Sequence, residues 1–553
     1  MSGLLPMMIL LPLLGGIFLL CWIAPQGDHK QSRFVAFAIA AMTLALGLMM
    51  TYDVVTQLAT YSQQGGLADP VTWPVLAELR YMPSWLAVDL PGAGRMQLAL
   101  GVEGLGAAMA LLTTIVVMLV MWMAEGSVRQ RFGQYAGWIL LAEAGLLTVF
   151  LSMDLVLFYI GFELTLIPLL FLISGWGGED AGRVAKRFVL YTLAGGMPML
   201  VGLIGLVIKY SGQGGPTVLM EELSRRALVA LPTETLAGQT WIFALLVFGL
   251  GIKMALLPLH TWLPETYRAA HPTTTALLAA VVVKLGLFDF FRLLLPMLPL
   301  ACREYGPAVL GTLGAIAIVY GALAALAQTD LRLLLAYSSL SHVGFITLGI
   351  FSLSEEGLAG AALQMFNHGI TTAAMFLLAG IIIDRRGTAS IPEMGHGLSS
   401  VYPKLGVLML FFLFAGAGMP GLNNFIGELL ALAAMMVRNP LLAVIGSSGV
   451  LLGAWYSLKL ARELLFGPVE KSSAKGGHGG DLTAKEWVPL GLVAGMCLWI
   501  GCYPQPAMSL VDLDARELAK IYADLDRQVL APVANQVPAD VLEPNTLVDR
   551  RSR

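Results

Sequence analysis

A lysine lies inside one of the most apolar stretches of this sequence. Lys253 belongs to the run "WIFALLVFGLGIKMALLPL", and Pro258 follows it five residues later. On scales of membrane insertion, an ammonium group in hydrocarbon costs at least ~2.5 to 3.5 kcal/mol. A charged group in such a place is by default a candidate functional residue, and the first question is what it acts on.

Three further charged residues lie well inside apolar runs: Glu163 in "LFYIGFELTLIPL", Lys284 in "LLAAVVVKLGLFDFF" and Glu428 in "NNFIGELLALAAMM". Burial disfavours the charged form of a carboxyl or amino group, and a nearby opposite charge favours it. A Glu/Lys pair can therefore bind or release a proton when its members move apart. The alternative is a structural ion pair that locks two helices, although buried pairs seldom add net stability over apolar packing.

Histidines extend this charged set. His260 and His271 flank the stretch after Pro258, while His342 lies in "AYSSLSHVGF" and His368 in "LQMFNHGITTAAMF". Each is either a hydrogen-bonded packing residue or part of a hydrated relay, since histidine titrates near neutral pH.

A second charged pair lies near the end of the run that holds Lys284. The i,i+3 spacing of Asp289 and Arg292 predicts an ion pair between these two side chains.

Composition indicates a membrane protein. Of the 553 residues, 57% are hydrophobic and 12% charged, against roughly 25% charged residues in soluble domains, and the mean hydropathy is +0.77. Apolar runs long enough to cross a bilayer recur from end to end and predict an all-α polytopic protein with about fourteen transmembrane helices.

Several kinds of site are disfavoured by the same sequence. A net charge of -3 argues against a nucleic-acid surface. The four cysteines include no CxxC pair, so neither an iron-sulfur ligand set nor a redox dithiol is supported. With no nucleotide-binding fingerprint either, we expect no metal and no cofactor in this chain.

Two of the predicted spans are interrupted. Pro258 ends or kinks span 7, and "GAGMPGLNNFIGE" at residues 416–428 breaks span 12. Irregular backbone at membrane depth is tolerated where it is buried in protein or lines a wet cavity. Because the breaks lie five spans apart, spans 4–8 and 9–13 are predicted to be two inverted five-helix repeats with discontinuous helices 7 and 12.

The predicted domain organisation follows from these repeats. Residues 1–125 hold helices 1–3, 126–300 the first repeat, 301–467 the second repeat, and 468–553 a cytoplasmic loop, helix 14 and a polar tail. Lysine and arginine concentrate in connections after odd-numbered spans, which places those loops on the cytoplasmic side and both termini on the outer side. In the tail, "LDARELAKIYADLDRQ" predicts an amphipathic helix on a neighbouring chain or on lipid headgroups.

Long motifs of this chain resemble one family: "LHTWLPETYRAAHPTTTALLAAVVVKLG", "AQTDLRLLLAYSSLSHVGF", "YTLAGGMPML" and "MPGLNNFIGELLAL". They are similar to the antiporter-like membrane subunits of NADH:quinone oxidoreductase, respiratory complex I, over residues 97 to 467 and the first helix pair. Glu428 directs the resemblance to subunit M (subunit 4, chain 4), since the related subunits L and N generally carry lysine there.

The resemblance implies a proton-translocating subunit of a translocase with no redox centre of its own. In the family's mechanism Glu163 and Lys253 would be the modulating pair, Lys284 the central carrier and Glu428 the terminal carrier. Along the hydrated path the matching positions are His260, His342 and His368.

The resemblance also implies partners and a location. NADH, FMN, iron-sulfur clusters and quinone would be bound by partner subunits, and the neighbours would include the paralogous L and N subunits. The chain would lie in the lipid bilayer of a bacterial inner membrane and would bind no nucleic acid.

Three alternatives remain open. An Mrp-type cation/proton antiporter subunit and the membrane subunit of an energy-converting hydrogenase use the same fold. A purely structural helix bundle is the third, and the charges inside the apolar runs argue against it.

Overall fold

Long apolar helices make up most of the chain. The computed structural model describes residues 3–27, 29–63, 81–82, 87–90, 94–97, 99–128, 130–211, 215–469 and 480–534. In chain order the first helices are α1 (Leu4–Phe18), α2 (His29–Gln63), α3 (Gly104–Ser127), α4 (Phe132–Leu151), α5 (Leu155–Leu164), α6 (Leu166–Trp176), α7 (Ala181–Lys209), α8 (Met220–Ala230), α9 (Leu236–Lys253), α10 (Trp262–Ala269), α11 (Pro272–Leu277), α12 (Lys284–Asp289) and α13 (Leu295–Met297). The helices that follow are α14 (Pro299–Tyr305), α15 (Thr312–Leu326), α16 (Leu331–Ile350), α17 (Glu355–Arg386), α18 (Ile391–Met394), α19 (Leu398–Val401), α20 (Pro403–Gly416), α21 (Asn423–Arg438), α22 (Pro440–Leu460), α23 (Ala484–Cys502) and α24 (Gln505–Ala534).

The predicted all-α polytopic fold is confirmed. Eleven helical stretches among the described residues are long and apolar enough to cross a membrane, or up to thirteen if two bent helix pairs each count as one span. The predicted spans outside those eleven are span 8, which wider helical turns divide, span 12, which is broken, and span 14, which bends by 65° into α24. The prediction of about fourteen spans therefore exceeds the eleven uninterrupted helices because three of the predicted spans are interrupted or bent.

Both predicted breaks are present. Span 7 stops at Lys253 and resumes at Trp262, whose indole Nε1 donates to the carbonyl of Ile252 at 2.8 Å. Span 12 stops at the end of α20 and resumes at α21, with Gly418 at φ 68° and Gly421 at φ 88° between them. These left-handed conformations favour glycine, because a Cβ would clash with the backbone there.

Span 8 is distorted on both sides of α12. Residues Leu278–Val282 and Phe290–Leu294 form π-helical turns, so α12 is a short α-helical piece between two wider turns. Such turns alter the i→i−4 hydrogen-bond pattern and are frequent at functional sites. Here they bracket Lys284 and Asp289.

The outer helices present apolar faces and the central ones are enclosed. In the most apolar part of each helix, 94% of the α17 residues and 89% of the α16 residues are buried. In α1 and α22 most of the corresponding residues are at least partly exposed on the surface of the chain. Ala and Gly at helix contacts let backbones approach closely, as in Gly344 of α16 against the Gly314 carbonyl of α15. Lys284 contacts α17 and Glu428 lies on α21, which packs on α17, whereas Glu163 and Lys253 lie in spans that are only half buried.

A small hairpin precedes α3. Strands β1 (Ala87–Leu90) and β2 (Gly94–Gln97) pair antiparallel with Ala87 opposite Gln97. No sequence pattern predicted it. Of the polar loop predicted at residues 472–486, the part up to 479 lies outside the described residues, and the domain boundaries stay a prediction.

The predicted C-terminal amphipathic helix is present as α24. It packs on α17 and α3 of its own chain. Tyr522 donates to the carbonyl of Leu295 at 2.8 Å, and Asp526 accepts from Arg303 at 2.6 Å and Arg438 at 2.8 Å. The helix therefore packs on one end of its own bundle, and a contact with a neighbouring chain or with lipid headgroups stays a prediction.

The contact between α24 and α3 makes a specific prediction about Gly104. A Cβ at this position would collide with the backbone carbonyl oxygen of Leu510. A backbone carbonyl cannot move aside by changing rotamer, so Gly104→Ala should displace α24. We expect the free energy of unfolding to fall by about 1 to 3 kcal/mol, as is typical of overpacking. We expect faster hydrogen exchange over residues 505–527 in the assembled complex.

The matched control is Gly126→Ala, at the other end of the same helix, where no atom would lie within 4 Å of the new methyl group. It should exchange like the wild type. Equal protection of α24 in the two variants would show that the close approach at Gly104 is not needed for docking.

Candidate functional site

Lys253 is the last residue of α9 and lies at the point where span 7 stops being helical. Its side chain is buried, and Nζ is 3.1 Å from Thr165 Oγ1 and 3.4 Å from the Phe162 carbonyl. The ammonium also lies 4.4 Å from the centre of the Phe162 ring, a cation–π distance. Its direct partners are thus a hydroxyl, a carbonyl and an aromatic face, all of them neutral.

Glu163 follows Phe162 on α5 but does not touch the lysine. Both of its carboxylate oxygens lack a hydrogen-bond partner, and the group faces Gly196 of α7. Lys253 and Glu163 interact electrostatically across the gap. The structure therefore brings the predicted pair into each other's field without direct contact.

Lys284, at the start of α12, is fully buried. Its Nζ donates to the carbonyl of Ala279 at 2.5 Å, inside the preceding π-helical turn, and lies 2.8 Å from His368 Nδ1 on α17. When Lys284 is charged it has only protons to donate, so His368 Nδ1 is then the acceptor and the other ring nitrogen carries the proton.

Two histidines connect Lys284 to Glu428. The rings of His368 and His342 are 5.0 Å apart between centroids. His342 Nδ1 is 2.9 Å from Glu428 Oε1, at angles that do not make a hydrogen bond, while Gln364 Nε2 donates to the same oxygen at 3.0 Å. Lys284, His368, His342 and Glu428 therefore form a row of neighbouring titratable side chains on α12, α17, α16 and α21, in which Lys284 and His368 are hydrogen-bonded.

A small polar cavity borders this row. Its volume is about 10 Å³, close to the least that holds one water molecule. Its polar lining comprises Ser338, Ser339, His342, His368, Thr371, Thr372 and Asn424. A water there would have the several polar partners that a buried water needs.

His260 lies apart from this row. It is in the irregular segment after α9, where Nε2 is 3.3 Å from Tyr320 Oη of α15 and the two rings are 5.2 Å apart. The row of contacts from Lys284 to Glu428 does not include it. Its place on a transfer path stays a prediction.

The two lysines are not joined directly. Hydrogen bonds of the described residues lead from Lys253 to α5 and α6, and from Lys284 to the span 8 backbone and to His368. The other charge that acts on Lys253 is Asp289 of α12. Any transfer between the lysines therefore has to cross a gap.

The predicted ion pair between Asp289 and Arg292 is wrong. Arg292 lies in a π-helical turn, and its guanidinium binds both carboxylate oxygens of Glu103, the residue that precedes α3. Both oxygens of Asp289 lack a hydrogen-bond partner. A tertiary contact across 189 positions has replaced the local i,i+3 pair.

Sequence reasoning also missed Glu143. It lies in α4, fully buried, with neither carboxylate oxygen hydrogen-bonded. The signal that pointed to Glu163, an acid inside an apolar run, is equally present in "WILLAEAGLLTVF". By contrast, Gln364, an uncharged residue on α17, has no such signal, and only the fold places it against Glu428.

Known proteins share both the sequence and the fold. The transmembrane family described as "NADH:quinone oxidoreductase/Mrp antiporter, TM" matches residues 152–453. NADH-quinone oxidoreductase subunit M of Rhodobacter capsulatus is 36% identical over 439 residues, which are 79% of this chain and 85% of that protein.

Solved structures agree. A chain of respiratory complex I from Thermus thermophilus with bound NADH has a TM-score of 0.79 at 32% identity, covering 94% of this chain and 99% of that one. A chain of the Mrp complex from Dietzia sp. DQ12-45-1b has a TM-score of 0.77 at 19% identity, covering 94% and 99% respectively, and shows likeness of fold alone. The chain therefore belongs to the NADH:quinone oxidoreductase/Mrp antiporter family, among the subunit M members of NADH-quinone oxidoreductase.

Proposed function

We propose that this chain translocates protons in the membrane arm of NADH:quinone oxidoreductase, driven by quinone reduction elsewhere in the complex. The observation that carries the proposal is the buried row from Lys284 through His368 and His342 to Glu428, with charged or titratable atoms 2.8 and 2.9 Å apart at its two ends. A structural bundle has no need of four such groups away from water, where each costs free energy.

Lys253 would be the control point of the first repeat. Its direct partners are neutral, so the stability of its ammonium form depends on the field of nearby carboxylates. A field at short range in a medium of low dielectric is strong, and it weakens as the charges separate. Movement of Glu163 away from Lys253, or added water between them, would release the lysine's proton.

Lys284 would pass its proton along the histidines. The ammonium donates to His368 Nδ1, and the imidazole then releases a proton from its other nitrogen toward His342. Because the two rings are 5.0 Å apart at their centroids, the bordering cavity is well placed to supply a bridging water. His342 Nδ1 lies 2.9 Å from Glu428 Oε1, so a small rotation of either side chain would align the two groups for the last transfer.

Glu428 would be the terminal carrier beside the break of span 12. A Cβ at Gly418 would approach Glu428 Oε2 to 2.6 Å and push the carboxylate aside, and the positive φ of this residue also favours glycine. Irregular backbone at this depth is compatible with a wet cavity. At this break the carboxylate would exchange its proton with water.

The rest of the complex would supply the redox chemistry. NADH, FMN, iron-sulfur clusters and quinone would be bound by partner subunits, and the membrane neighbours would include the L and N subunits. The distribution of lysine and arginine supports a bacterial inner membrane orientation with both termini outside.

Position 428 tests whether a titratable group is needed. Glu428→Gln keeps the size and the hydrogen bond to Gln364 but cannot bind a transferable proton. We expect NADH-driven proton pumping into closed vesicles to fall roughly tenfold or more. Glu428→Asp should keep part of the activity, and Glu428→Lys should keep some if only titration matters.

Glu356→Gln is the matched control, since Glu356 is an exposed carboxylate at the start of α17. It should pump at the wild-type rate. Subunit content must be equal in all variants. Wild-type pumping by an assembled Glu428→Gln complex would mean that Glu428 is not an obligatory carrier.

Gly196 tests the modulating pair without changing any charge. An added methyl group collides with Glu163 Oε1, the flexible end of a side chain, so Gly196→Ala should displace the carboxylate while the complex still assembles. Misplacing a catalytic group costs rate, and we expect proton pumping to fall roughly tenfold. Lys253→Ala and Glu163→Ala should lower pumping sharply as well, because each removes the charge that sets the other's protonation state.

The control here is Gly182→Ala on the same helix, where nothing lies within 4 Å of the new methyl group. Pumping at the wild-type rate in assembled Lys253→Ala complex would favour a purely structural pair. Unchanged pumping in Gly196→Ala alone would mean that the exact position of Glu163 is unimportant.

A further inference from the structure

A second group of buried charges lies at the far end of span 8 and has no role in the row described above. It consists of Glu103, Asp289, Arg292 and Asp514, all of them buried. They come from three distant parts of the chain: the residue before α3, span 8 and the C-terminal helix. One arginine faces three carboxyl groups.

Arg292 is fully occupied. Nε and Nη2 donate to Glu103, Nη2 also donates to the Phe150 carbonyl, and Nη1 donates to two further carbonyls of the α4 end, those of Val149 and Ser152. A guanidinium has five N–H donors. All five have acceptors here, so none is left for Asp289 or Asp514.

Asp514 has a different partner. Its Oδ2 accepts the backbone N–H of Leu105 at 2.7 Å, in the first turn of α3. Glu103 occupies the position before this helix but turns its side chain to Arg292 and makes no cap hydrogen bond. Asp514 therefore caps α3 from another helix, and its Oδ1 stays without a partner.

Asp289 has no hydrogen-bond donor at all. It is fully buried and both of its oxygens are unpartnered. A buried carboxylate without donors is costly, and a bound proton removes that cost. Asp289 interacts electrostatically with Arg292, Glu103 and Lys253. Its helix α12 packs against the end of α9 that holds Lys253, since a Cβ at Gly286 would meet the Leu250 carbonyl oxygen and the Met254 side chain.

We propose that Asp289 is a proton-binding residue that accepts the proton of Lys253. This inference rests on the proposed proton translocation and adds a residue and a direction to it. One proton moves: the ammonium of Lys253 becomes an amine and the carboxylate of Asp289 becomes a carboxylic acid. In a medium of low dielectric, this converts two buried charges into two neutral groups, which offsets their desolvation cost.

A surface cavity lies near the cluster. The carbonyl of Ser152 accepts from Arg292, and the next residue, Met153, lines a surface cavity of about 440 Å³. Glu222 and Arg225 also line that cavity. The hydrogen bond from Arg225 lowers the pKa of Glu222 to about 2, so the cavity is lined by a charged carboxylate paired with Arg225 and Arg226.

Asp289 also explains the gap between the two lysines. It follows Lys284 by five residues on span 8, and the groups that act on it are Lys253, Arg292 and Glu103. The first repeat would then have its own proton acceptor, separate from the row that ends at Glu428. Loss of this acceptor should slow the release of the Lys253 proton.

Asp289→Asn tests the proposal in the assembled complex. The amide has nearly the shape of the acid but does not titrate. We expect pumping to fall roughly tenfold and the infrared C=O band of one protonated carboxylic acid to disappear. Asp289→Glu should keep a band at a shifted frequency and part of the pumping.

Glu517→Gln is the matched control, because Glu517 is a buried carboxylate on α24 that pairs with Lys520 and lies outside the cluster. It should change neither the band nor the pumping. An assembled Asp289→Asn complex that pumps at the wild-type rate and keeps the band overturns the inference. If Asp289→Asn does not assemble, an unshifted band in Asp289→Glu overturns it.

Glu428→Gln, measured in parallel, separates this inference from the proposed function. Loss of pumping in Glu428→Gln beside wild-type behaviour of Asp289→Asn leaves proton translocation standing and removes Asp289 from it. Wild-type pumping in Glu428→Gln contradicts the row from Lys284, and the infrared band then still decides whether Asp289 binds a proton.

Discussion

The cost of holding a charge away from water governs the interior of this protein. Buried charges of two kinds are stabilised in different ways. Arg292 has an acceptor for every N–H, including both oxygens of Glu103, so this pair is locked. Lys253 and Lys284 have neutral or titratable partners and no carboxylate in contact. Without a carboxylate in contact, the protonation state of each lysine responds to a change in the local electric field. The protonation state of the Arg292–Glu103 pair does not.

Interrupted helices supply the partners of the loosely held charges. An unbroken helix uses its own carbonyls in i→i−4 hydrogen bonds. The carbonyl of Ala279 reaches Lys284 from within a π-helical turn, and that of Phe162 reaches Lys253 where α5 gives way to α6. Glu428 lies in the first turns after the break of span 12. The irregular backbone and the buried charges are therefore parts of one arrangement.

The sequence predicted those features that depend on local chemistry. An acid or a lysine in an apolar run is visible without a structure, as are a proline in a predicted span and the glycines of "GAGMPGL". Pairing across the fold is not visible. Spacing predicted Asp289 as the partner of Arg292, but the π-helical turn and the approach of α3 gave it Glu103 instead. His260 lies near the break of span 7, and its side chain contacts Tyr320. The direction of this side chain depends on the irregular segment between α9 and α10, whose conformation the sequence does not reveal.

A proton path that was continuous at all times would let protons leak back across the membrane. The row from Lys284 to Glu428 is nearly continuous, and Lys253 lies in the field of two carboxylates, yet no hydrogen bond among the described residues joins the two lysines. The gap therefore divides the titratable groups into two sets, one around Lys253 and one from Lys284 to Glu428. Any transfer between them would need a water or a side-chain movement, and a step of that kind is one that the rest of a large complex can control.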